Sequence, residues 1–117
     1  MEAFANYKRD DRPWGFFERF TLNEPSTVKI IEVNPDQEIS LQQHAHRDEE
    51  WKILRGSGTV TMGDIHKDIT AGDTVAIARG MKHRIKGGPA GIQFLEISLG
   101  DFDEKDIIRF QDDYGRN

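Results

Sequence analysis

The chain has 117 residues, a formal net charge of −5 and a pI near 5.3, which is enough for one closed core and too little for two. The acidic balance, with no Lys/Arg block, argues against a nucleic-acid footprint and against an anionic membrane surface as partners. With no cysteine there are no disulfides, thiolate ligands or Cys nucleophile, and no apolar run approaches a signal-peptide core or the roughly 18 residues of a membrane span, so a soluble cytoplasmic protein is expected.

Residues 1–11 read as a loosely ordered arm, and Arg12-Pro13 as an extended lead-in to Trp14, whose indole is expected in the core. TVKIIEV (27–33) is a β-branched strand ending at the turn cluster Asn34-Pro35-Asp36, and EISLQQHAH (38–46) follows it. EWKILRG (50–56) stops at Gly56-Ser57-Gly58; TVTMGD (59–64) turns into IHKDIT (65–70). A short strand lies between the glycines of 71–80, another spans 82–88, and the longest spans 90–100. Residues 101–110 invite a helical turn. Eight or so short strands with no long helix predict an all-β fold over 1–117, a single antiparallel jelly-roll barrel.

On a strand, alternate side chains share a face, so Ser40, Gln42, His44 and His46 point one way and Leu41, Gln43 and Ala45 the other. In the next strand Glu49, Trp51 and Ile53 suit the interior, while Glu50 and Lys52 suit solvent, as does Asp48. Two neutral imidazoles and an inward carboxylate form a ligand set for a divalent transition metal, Mn, Zn, Co, Fe or Ni. His83 offers a third imidazole, whereas nothing ties His66 to the cluster and it reads as a surface residue.

HAHRDEEWKILRG followed by GDTVAIARGMKH resembles the two metal motifs of the cupin superfamily, a resemblance that implies His44, His46, Glu49 and His83 as metal ligands. Two residues, rather than three or four, separate His46 from Glu49, and Ala78 stands where a proline is usual. RPWG (12–15), VNP (33–35), SLQ (40–42) and DIIRFQDDYGR (106–116) extend the likeness to the type II phosphomannose isomerase cupin, the domain that also closes bifunctional mannose-phosphate guanylyltransferase/isomerases. That resemblance implies a phosphosugar substrate and metal-dependent interconversion of mannose 6-phosphate and fructose 6-phosphate.

By their matching positions Arg47 and Lys29 become substrate candidates, although Arg47 also serves as a partner for its neighbouring carboxylates and Lys29 as a surface strand end. Arg116 is a further substrate candidate in a tail that otherwise pins itself over the barrel. Proton transfer between C1 and C2 needs a base, and Glu96, on the face of Phe94 and Ser98, is the candidate catalytic residue; its alternative is an outward charge on an edge strand. Lys29, Arg47, Lys82 and Arg84 are expected as cations around the mouth. Two other functions share the ligand pattern: a non-catalytic sugar or small-acid binder, and an Fe(II)-dependent dioxygenase. Exposed sheet edges predict a homodimer.

Overall fold

β5 (Arg47–Met62) and β8 (His83–Gly100) organise the domain, pairing antiparallel from Arg47 opposite Gly100 to Met62 opposite His83. The computed structural model describes residues 4–114, and among these there are nine strands and no helix; none is therefore a helix long and apolar enough to cross a membrane. Around the first half of β5 and the last half of β8, β7 (Thr74–Ile77) pairs with β5 and β3 (Ser26–Val33) with β8. Around their other halves, β6 (Ile65–Thr70) pairs with β5, β4 (Leu41–Gln43) with β8, and β9 (Ile108–Gln111) with β4.

Both halves contribute to one apolar cluster. Trp51, Ile53, Val75, Ile77 and Phe94 come from the first and Val60, Ile69 and Ile85 from the second, all at most 3% exposed. The alternation rule explains the choice: Trp51, Ile53 and Val60 are the inward residues of β5, and Ile85, Ile92 and Phe94 those of β8. An antiparallel sheet folded over its own core is the double-stranded β-helix, or jelly roll, that the strand pattern predicts.

Three local expectations are corrected. Gly56-Ser57-Gly58 and Gly87-Gly88 bend strands instead of ending them, so 50–56 and 59–64 are one strand, and 82–88 and 90–100 another. At this corner Gly56 (φ 80°) lies directly against the Gly91 carbonyl, and Gly91 has φ 77°, a backbone geometry that glycine adopts without a Cβ penalty. The segment 101–110 makes a single hydrogen-bonded turn, the Asp106 N–H donating to the Asp103 carbonyl at 2.9 Å, and then enters β9, because Ile108–Gln111 finds the free edge of β4. Finally, β1 (Lys8–Arg12), which begins inside the 1–11 segment read as an arm, pairs with β2 (Gly15–Arg19) in a separate hairpin. Trp14 sits in its turn and is 74% exposed, so it is not a core residue. The hairpin escapes the apolar pattern because cation–ring contacts support it: the Arg9 guanidinium stands 3.8 Å from the Phe16 ring centroid, and Arg12 stands 5.4 Å from that of Phe17.

Candidate metal centre

The run SLQQHAHRDEEW changes structure at His44. β4 ends at Gln43, residues 45 and 46 bend, and β5 starts at Arg47. Up to that point alternation holds: Ser40 and His44 are buried, and Gln42 lies opposite His83. The bend is gripped by Asp106, whose carboxylate accepts the N–H groups of Ala45 (2.8 Å) and His46 (2.9 Å). As a result His46 is exposed and does not join the cluster, which corrects the expectation of two imidazoles on one face.

His44, Glu49 and His83 do come together. All three are buried, and one ligand atom from each lies within 4.8 Å of the others. His44 Nε2 stands 3.5 Å from Glu49 Oε2, and His83 Nε2 stands 4.0 Å from Glu49 Oε1. The far side of each ring fixes its tautomer. His44 Nδ1 lies 2.6 Å from the Asp106 carbonyl oxygen and His83 Nδ1 lies 3.0 Å from that of Met81. A carbonyl only accepts, so both rings donate from Nδ1 and turn Nε2 toward Glu49. Burial, the largest influence, pushes the His83 imidazole below its ordinary value, and its Nε2 is buried with no partner. Two imidazole Nε2 atoms and a carboxylate fit a divalent transition metal with coordination positions left open, as in a two-histidine, one-carboxylate triad.

The walls hold this set in place. Trp51 donates from Nε1 to Glu49 Oε1 at 3.1 Å and stacks on Phe94, with ring centroids 4.6 Å apart. Arg47 is buried, donates from Nε to Glu49 Oε2 at 2.9 Å, and places Nη2 3.2 Å from His44 Nε2. It is thus the carboxylate's partner rather than a cation at the mouth, and a metal ion on these acceptors would displace its guanidinium. Glu96 is buried opposite Trp51 on one side and Lys29 on the other. Burial first, and the Glu49 charge second, push its carboxyl up to about 7, with Lys29 and Arg47 pulling the other way. Such a carboxyl lies in the range useful to a general base near neutral pH.

Other expectations fall out of place. Glu50, read as solvated, is fully buried on the opposite face of β5; one oxygen accepts the Phe4 N–H at 3.2 Å and the other has no partner. Lys29 is tied to Glu104 at 2.8 Å, beside the Phe102 ring. Arg84 is not at the mouth: it alternates with His83 and donates from Nε to the Ile39 carbonyl at 2.9 Å. The Lys82 ammonium lies 4.1 Å from the Phe110 ring centroid. Arg116 lies outside the described residues. Sequence reasoning missed Asp106 and Phe102, because neither carries a motif of its own. It also passed over Ser98 as a site residue, although its buried, unpartnered Oγ belongs to the residue facing Glu49.

Known proteins give this geometry its family. The xanthan biosynthesis protein XanB of Xanthomonas campestris pv. campestris (strain B100) is 37% identical over 90% of this chain and 23% of its own length. A mannose-1-phosphate guanylyltransferase of Salmonella montevideo is 39% identical over 91% of this chain and 23% of its own. The chain thus spans about a quarter of the length of these curated relatives. Among solved structures, an arginine-to-alanine mutant of Bacillus subtilis oxalate decarboxylase superposes with a TM-score of 0.69 at 20% identity, covering 93% of this chain and 32% of that one. A Klebsiella pneumoniae protein with a double-stranded β-helix domain superposes with a TM-score of 0.66 at 18% identity, covering 95% and 90%. These two likenesses speak to the fold, which is that of the cupins. The model of the mannose-6-phosphate isomerase C-terminal family matches residues 2–112, nearly the whole chain, and the chain therefore belongs to that family.

Proposed function

We propose that this domain is a metal-dependent phosphosugar isomerase that interconverts mannose 6-phosphate and fructose 6-phosphate. The observation that carries this reading is a buried Glu96 beside a buried triad of His44, Glu49 and His83, in a chain of this family. The triad would hold one divalent ion, which when bound supplies a Lewis acid that acidifies the proton next to a coordinated carbonyl. Glu49 is then committed as a ligand, with Trp51 holding one of its oxygens. Glu96 takes the proton from C2 of the aldose and returns it to C1 while the O2 hydroxyl proton passes to O1, so the sugar gains and loses no atoms. Phe94 and Trp51 form apolar walls that limit water at the carbon acid.

We place this activity in the cytoplasm, where sugar phosphates are held by their charge, and in a homodimer. Among the described residues β3 is paired along one side only, by β8, and it exposes Val28 and Ile30 at 56% and 65%. An edge strand with an apolar outer face invites pairing with a second copy.

The test is an isomerase assay of protein loaded with Mn, Zn or Co, alongside Glu96→Gln. Wild type should isomerise; Glu96→Gln should keep its metal and lose roughly 10²–10⁴ in turnover. Wild-type turnover in Glu96→Gln removes the base assignment. The same donor triad is also that of non-haem Fe(II) oxygenases, so Fe(II)-loaded protein that consumes oxygen and isomerises nothing would move the assignment there. Ligand binding without either reaction would make the domain a sugar- or acid-binding module.

A further inference from the structure

We infer that Arg109 is the anchor for a phosphate monoester at the far end of the ligand whose other end lies at His44, Glu49 and His83. This inference deepens the proposed function and rests on it for the identity of the sugar. Gln42 on β4 pairs with His83 of β8 on one side and with Arg109 of β9 on the other. Directly opposed residues share a face, so His83, Gln42 and Arg109 form one row across three strands. His83 is fully buried inside the barrel, and that puts Arg109 on the inner face. Alternation agrees, since the preceding Ile108 is 53% exposed. The row spans two strand spacings, roughly 10 Å from the backbone of His83 to that of Arg109, a separation that suits an extended six-carbon chain ending in an anion.

The chemistry of Arg109 points the same way. Its Nε is buried without a partner, and among the described residues no acceptor or carboxylate engages the guanidinium. Among the neighbouring cations, Lys29 is committed to Glu104 at 2.8 Å and Arg84 to the Ile39 carbonyl at 2.9 Å, and the Lys82 ammonium lies against the Phe110 ring at 4.1 Å. A guanidinium nitrogen withdrawn from water with nothing to donate to carries a desolvation cost that an incoming oxyanion removes. The planar fork of arginine matches phosphate oxygens two at a time, a geometry that a neutral hydroxyl cannot use.

The experiment titrates the metal-loaded full chain with mannose 6-phosphate, mannose and inorganic phosphate, for wild type, Arg109→Gln and Arg109→Lys, with metal content and melting temperature recorded for each. In Arg109→Gln, affinity for both phosphate compounds should fall roughly 10- to 100-fold, with metal content and mannose affinity unchanged. Arg109→Lys, which keeps the charge and loses the fork, should fall less. Unchanged affinity for mannose 6-phosphate in both variants, equal losses for mannose and its phosphate, or failure of wild type to bind either phosphate compound overturns the anchor. Should Arg109→Gln fail to fold, Arg109→Lys decides alone, and an affinity equal to wild type counts against the anchor. Arg109-dependent binding without isomerisation upholds the anchor and removes the isomerase; isomerisation with an unchanged KM in Arg109→Gln does the reverse.

Discussion

His44 and His83 each give one ring nitrogen to a backbone carbonyl, and that gift decides what the other nitrogen can do. With Nδ1–H donated to Asp106 and Met81, each Nε2 is a ready ligand, whereas His46 faces solvent beyond the bend. Metal analysis after dialysis should therefore find His44→Ala and His83→Ala depleted and His46→Ala still loaded; depletion of His46→Ala to the same level would restore it as a ligand. Glu50 makes a second prediction. Burial holds its carboxyl above the ordinary value of 4.5, so the fold favours the protonated form. The stability this proton provides is complete below pH 4.5 and is lost as pH rises through the raised value. Glu50→Gln keeps an acceptor for the Phe4 N–H and removes the charge. It should be more stable than wild type by about 1–3 kcal/mol at pH 7.5, with the gain gone at pH 4.5. Urea denaturation at the two pH values checks both the size and the sign.

At the level of strands, two long ribbons are folded at a glycine corner, and the site exists because they fold there. The bend of β5 between Ile53 and Gly58 and that of β8 near Gly91 carry the register shifts that let both strands serve two halves of the barrel. Gly56→Ala adds a Cβ in a left-handed conformation directly against the Gly91 carbonyl, a backbone atom that cannot swing away. The expected loss is more than about 2 kcal/mol. Gly63→Ala, with φ 58° and open space around its Cβ position, should lose only about 1 kcal/mol. Thermal melting of the two variants separates a packing requirement from simple backbone strain; equal losses would remove the close approach as the cause.

For the molecule as a whole, the open edge at β3 is the feature with consequences beyond one chain. Among the described residues, the eight from Ser26 to Val33 pair with β8 alone, and their outer face carries Val28 and Ile30. Light scattering should give twice the 13.4 kDa chain mass, and Ile30→Lys, which sets a charge on that edge, should return the chain mass itself. A concentration-independent monomer for wild type would leave β3 as an edge protected in some other way.

Residue types and spacing were enough for the β class, because alternation of Trp51, Ile53 and Phe94 with polar neighbours has a period that only a half-buried strand satisfies. The same period placed Glu49 inside but left Glu96 open between an inward and an outward reading, which only its burial decides, and the motif spacing brought out His44 and His83. What alternation cannot see is where it is interrupted. The bend at 45–46 is imposed by Asp106, some sixty residues away in sequence, and it turns His46 outward. Glu50 faces away from the barrel by parity, yet Phe4 comes back over it and buries it. Arg109 reads as one charge in a short tail until β9 pairs with β4 and sets it in line with His83. Local periodicity is a property of the backbone and is written in neighbouring residues; the ends of a bend, the cover on an outer face and the meeting of distant strands are decided only when the chain closes on itself.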